Sequence, residues 1–257
     1  ESRSRIGFIF VNHYVQVSSI LALSAIVAIL AVASIAGIPE SSAAKTKMYE
    51  VTITNLTPGQ PITPPLLVTH SVNAGFFSVG EMASNEVQQL SENGNLEPLV
   101  KMLQGKSGVL SIVQGEKPII PGNNPGNTGL SHSETFVVSS EGNNRYLSFA
   151  SMLVCTNDGF AGIDSVKLPF YKQKTVYAMA YDARTEMNTE DFADIVPPCQ
   201  GAIGVSSDDE GTGESNSAIS EEGVIIPHPG IMGGDDLLES VHAWGNPVVK
   251  IDIVRMK

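Results

Sequence analysis

The chain has 257 residues and a formal charge of −12, from 15 Lys+Arg against 27 Asp+Glu, yet only 16% of its residues are charged. No run of Lys and Arg offers the clustered positive charge that a phosphate backbone requires, so the composition argues against nucleic acid as a partner. Two cysteines are too few for a disulfide-framework miniprotein or a Cys-rich zinc site, and a 42% hydrophobic content argues against global disorder.

The first 44 residues differ from the rest. No charge occurs between Arg5 and Glu40, and residues 20–38 are almost wholly apolar. As a helix those nineteen residues would measure about 28 Å, close to the thickness of a bilayer core. Arg3 and Arg5 precede the stretch as a positive n-region would, and Ser42-Ala43-Ala44 follows it with the small residues a signal peptidase reads. Residues 1–44 therefore read as a signal peptide or membrane anchor, and residues 45–257 as one exported domain that carries all of the −12. Outside the cytoplasm Cys155 and Cys199 are free to pair; the sequence leaves open whether they do.

Within 45–257 the dominant pattern is period two. Tyr49, Val51 and Ile53 alternate with polar residues, as do Val249, Ile251 and Ile253 near the other end. Between them, 66–72, 109–113, 135–139, 146–154 and 175–181 read as short strands, and Gly/Pro/Asn clusters at 121–126 and 141–144 read as turns. Residues 80–93 read as a helix with Ser78 as N-cap, Met82, Val87 and Leu90 as its apolar stripe, and Gly94 as its stop. Residues 96–103 suggest a second short helix. The acidic, small-residue segment 206–223 reads as a solvated loop whose spacing fails the EF-hand template. The sum predicts an all-β, antiparallel β-sandwich of about 8–10 strands with one or two short helices, preceded by an N-terminal hydrophobic helix. Asn55-Leu56-Thr57 is a glycosylation sequon that also sits where the first strand should end.

Common catalytic signatures are missing. Gly129-Leu130-Ser131-His132-Ser133 lacks the closing Gly of a nucleophile elbow, and there is no H-E-x-x-H, Walker loop or dinucleotide fingerprint. His228 and His242 lie among turn residues and read as surface or packing histidines. Two acidic groups are more suggestive. Asp158 follows the strand 146–154 in Thr156-Asn157-Asp158-Gly159, and Asp182 and Glu186 follow the strand 175–181. If neighbouring strands bring both loops to one end of the fold, the three carboxylates repel one another unless a hard, oxygen-seeking cation lies between them. Alternatively, Asp158 is the turn residue of Asn-Asp-Gly and Asp182 caps a local turn.

The same residues carry a resemblance. Ser151-Met152-Leu153-Val154 followed by Asn157-Asp158-Gly159-Phe160-Ala161-Gly162-Ile163-Asp164-Ser165 resembles the strand-loop-strand signature of the spondin N-terminal domain, where a Ser-Met-Ile/Leu strand leads into Pro-Asp-Trp-Phe-x-Gly-x-Asp-Ser. Tyr181-Asp182-Ala183-Arg184-Thr185-Glu186 resembles that family's Tyr/Trp-Asp-Ala-Gly-Thr-Asp/Glu loop, and 244–253 is similar to the last strand of its microbial members. The resemblance implies a secreted or cell-surface β-sandwich acting in adhesion or recognition, with one Ca2+ held by Asp158, Asp182 and Glu186. It departs at Gly159, where the family has Trp, and at Arg184, where it has Gly and where a cation would stand beside the proposed metal. The expected function is non-catalytic: an exported calcium-binding module for adhesion, matrix or ligand recognition, with an extracellular protein or glycan as partner. Any membrane contact is expected only through the N-terminal hydrophobic segment. A membrane-anchored envelope or surface-layer protein is the alternative, and a secreted hydrolase a more distant third.

Overall fold

The computed structural model describes residues 45–257, which belong to a single compact unit, Ala43–Lys257. The expected signal peptide or anchor and its hydrophobic helix lie outside the described residues. Nine strands run in chain order: β1 (Lys47–Asn55), β2 (Leu66–His70), β3 (Val109–Gln114), β4 (Ser133–Ser140), β5 (Tyr146–Met152), β6 (Gly159–Lys167), β7 (Gln173–Asp182), β8 (Ile226–Pro227) and β9 (Val249–Arg255). Every pairing between them is antiparallel, in the order β3-β2-β5-β6-β7-β9-β1-β4 with β8 added to β7.

β7 turns the sheet into two layers. Its first half, from Gln173 to Ala178, pairs with β9, whereas Met179 to Asp182 pair with β6. Each layer turns its apolar face inward. Val51 and Ile53 lie opposite Ile253 and Ile251, and all four are fully buried together with Leu147 and Phe149 of the other layer. At the far edges the Thr69 hydroxyl of β2 donates to the Ser139 carbonyl of β4 at 2.7 Å, so the sandwich is nearly closed like a barrel.

Alternation fails where a second core covers the outer face. β2 is buried at every position and β5 from Leu147 onward. The cover consists of α1 (Asn85–Asn93) and α2 (Glu97–Gln104), whose Val87, Leu90, Leu99 and Leu103 pack on Leu66, Val68, Ala150 and Phe160. α1 begins later than its apolar stripe suggests. Ser84 is the N-cap, accepting from the Val87 N–H, while the Ser78 hydroxyl donates to Asp164 and Met82 is exposed. Gly94 stops the helix at φ 65°, where a side chain would be strained.

Two further helices, α3 (Pro198–Ile203) and α4 (Glu239–His242), are too short to show periodicity in the sequence. α3 carries Cys199, which is bonded to Cys155 with Cα atoms 5.0 Å apart. A third apolar cluster, including Phe192, Ile195, Ile231 and Leu237, surrounds this bridge. Asn55 ends β1 as expected. Its Nδ2 is buried and donates to the Gln60 and Ile119 carbonyls, so in the folded chain the sequon is structural.

Candidate metal centre

Asp158 is placed by a tight turn between β5 and β6. Thr156 closes that turn, its hydroxyl donating to the Leu153 carbonyl at 2.6 Å and accepting from the Gly159 N–H at 2.9 Å. Asn157 clamps the turn to the neighbouring loop through both its side-chain oxygen and nitrogen, each bonded to Thr189. Gly159 lies opposite Asp182 in the β6–β7 register, so the two acidic motifs of the sequence meet at one end of this hairpin. Both Asp158 and Asp182 are fully buried.

The two carboxyl oxygens of Asp158 have different surroundings. Oδ2 accepts three bonds: from the Thr185 N–H at 2.7 Å, the Glu186 N–H at 3.1 Å and the Thr185 hydroxyl at 3.2 Å. Oδ1 is buried and has no partner. Burial, reinforced by the charge of Asp182, pushes the Asp158 carboxyl up to about 7 despite the three donors. A buried carboxylate oxygen without a donor is costly unless a cation or a proton satisfies it.

Asp182 is oriented by its own loop. Oδ1 accepts from the Arg184 N–H at 2.7 Å and Oδ2 from the Asn188 amide at 2.9 Å. Arg184 adopts φ 58°, the left-handed conformation that Gly takes without strain. Its guanidinium reaches away to Glu221 at 3.1 Å, so the cation that the sequence sets beside Asp182 is engaged elsewhere.

Glu186 contributes differently from the two aspartates. Its N–H donates to Asp158, but its carboxylate accepts from the Asn216 N–H at 2.6 Å. Burial pushes this carboxyl up to about 7 as well, opposed by the Asn216 bond and assisted by the charges of Glu92, Asp158 and Asp194. Asn216 belongs to the 206–223 segment. Although mostly exposed, that segment is fastened over this end of the fold. Asn216 also donates to Asp194, and Ser215 makes a very short bond to Glu92.

Among the described residues the oxygens of Asp158, Asp182 and Glu186 do not form a cluster within 4.8 Å of one another. Cys155, Cys199 and His242 do, but both sulfurs are spent in the disulfide. His228 is a nearby residue that the sequence did not single out for this site. Burial pushes its imidazole down to about 4, against the charges of Asp182 and Glu190. Nδ1 accepts from the Gly230 N–H at 3.0 Å, and Nε2, like Asp158 Oδ1, is buried without a partner. Asn188 was also missed; its signal was the polar density of 185–191 just after a strand.

The Spondin_N family model matches residues 62–191, just over half of the chain, including both acidic loops. The chain belongs to the spondin N-terminal domain family. Spondin N-terminal domains are non-enzymatic modules, typically extracellular and of an adhesion type. No curated protein matches the chain. The spondin match ends before Cys199, the 206–223 segment, β8 and β9, so one half of the disulfide and the whole strap over the acidic end lie outside the matched region.

Proposed function

We propose that this spondin domain is an exported, calcium-binding recognition module, with Asp158, Asp182 and Glu186 as the carboxylates that hold one ion. The observation that carries the reading is Asp158 Oδ1, a buried carboxylate oxygen without a donor beside a second buried carboxylate. A hard divalent cation supplies the positive charge and takes oxygen ligands at about 2.3–2.6 Å. The donor set fits that demand for Asp158 and Asp182, with loop carbonyls and water to complete the shell. Glu186 joins by exchanging its Asn216 bond for the ion, which couples the 206–223 strap to occupancy.

The role of calcium in this reading is structural. It neutralises two buried carboxylates, fixes the loops that follow β5 and β7, and thereby shapes the surface at that end for an extracellular protein or glycan. An ion bound only by the folded chain stabilises it by mass action, by about 2.7 kcal/mol when free calcium is about 100 times Kd. The test is thermal unfolding of the full chain in calcium and in EDTA. A higher melting temperature in calcium is expected, and superimposable curves would remove the metal from the account.

A further inference from the structure

We propose that the end of the domain opposite the carboxylates is a docking face for an anionic lipid bilayer. The face centres on the loop 168–172 that joins β6 to β7. Phe170 and Tyr171 stand there 60% and 74% exposed, packed edge-to-face with ring centroids 4.5 Å apart. Met48 and Met256 are exposed beside them, linked by a bond from the Met256 N–H to the Met48 carbonyl.

Positive charge surrounds this apolar tip. The Lys47 ammonium lies 4.6 Å from the centre of the Phe170 ring, and the Arg255 guanidinium 5.8 Å from it. Arg255 Nη1 donates to the Phe170 carbonyl at 2.6 Å and its backbone N–H to the Lys172 carbonyl. Lys174 donates to the Lys167 carbonyl, and Lys257 follows Met256. Lys47, Lys172, Lys174 and Arg255 thus gather at one end of a chain with a charge of −12. The ion pairs found among the described residues, Arg184–Glu221 and Lys250–Asp252, use none of them. Glu50, opposite Val254 on the β1–β9 ladder, and Glu141, bonded to Thr46, are the neighbouring acids and leave the balance positive.

The combination of exposed aromatic and thioether groups ringed by cations suits a bilayer surface. The rings and methyl groups enter the headgroup boundary while Lys and Arg meet lipid phosphates. Docked by this tip, the domain turns its carboxylate end away from the anionic surface, since the two ends lie at opposite ends of β7.

The experiment uses the full chain carrying Phe170→Trp, with the wild type and its single Trp244 as the baseline. Vesicles are made of phosphatidylcholine alone or mixed with phosphatidylglycerol, each with brominated acyl chains as quencher. Blue-shifted, quenched emission from the introduced indole is expected only in the mixed vesicles, and raising the salt should release it. Lys172→Gln with Lys174→Gln should lower the docked-to-free ratio about 25-fold, about five-fold per charge. If Phe170→Trp fails to fold, Tyr171→Trp reports on the same tip. Equal quenching in both vesicle types overturns the proposal, as does quenching in neither. Retention of the face on a sulfated glycan without vesicle binding, or burial of the introduced indole by self-association, would overturn it as well.

Discussion

The two ends of the β6–β7 hairpin are made of the same two strands yet are built on different principles. At one end Asp158 and Asp182 are fully buried, each carboxylate held by backbone or amide donors, with the Cys155–Cys199 bridge beginning three residues before Asp158. At the other, Phe170 and Tyr171 stand in solvent beside the half-buried Lys47 and Arg255. Ten residues of β7, at about 3.3 Å each, set the ends roughly 30 Å apart. A buried charge has to be preorganised because desolvation punishes any loose donor. An exposed aromatic–cation face needs no such framework, since its partner supplies the burial.

If the acidic end depends on its framework, the largest effect should come from the disulfide. Replacing Cys155 and Cys199 together by Ser opens a covalent loop with a sequence separation of 44 and should cost about 4 kcal/mol in urea unfolding. A loss below about 1 kcal/mol would show that the apolar cluster around the bridge suffices alone. Next comes the charge itself. Asp158→Asn keeps an acceptor for the Thr185 and Glu186 N–H groups but removes the charge that faces Asp182. It should therefore stay folded in EDTA and lose the calcium-dependent gain of about 2.7 kcal/mol.

A smaller effect lies toward the basic end, at His70. Its Nδ1–H donates to the Ser71 carbonyl and its Nε2 accepts from the Ser148 hydroxyl, which leaves the buried ring neutral. Burial holds the imidazole below its usual 6.5, with Ser71 and Asp164 opposing and Lys106 assisting. A depressed folded pKa stabilises the fold above 6.5, and that contribution is lost as the pH falls from there through the folded value. His70→Gln should flatten this part of the stability profile relative to the wild type. Least affected should be the Phe170→Ala variant, which removes a ring outside every core cluster. Its folding stability should stay within about 0.5 kcal/mol of wild type by urea unfolding.

The sequence reveals the two ends unequally, for physical reasons. β1 and β9 announce themselves because each is buried on one face, and their register follows the alternation of Val51, Ile53, Ile251 and Ile253. β5 shows an apolar run, since α1 and α2 cover its outer face. The three carboxylates could be picked out because acids directly after strands are expensive to bring together. What stays hidden depends on long-range placement. Arg184 looks like a cation beside the metal until Glu221 draws it away. His242 stands far from both cysteines in the chain and only the fold brings it beside their bridge. The basic face was equally invisible, because Lys47, Lys172 and Arg255 share no run and meet only through β1, β9 and the 168–172 loop.

The most direct test is equilibrium dialysis of the full chain against labelled calcium, alongside Asp158→Asn and Asp182→Asn. One ion retained per wild-type chain, and none by either variant while both keep their fold, is the predicted result. No retained ion, or undiminished binding by the folded variants, would contradict the assignment of the buried carboxylates to a metal.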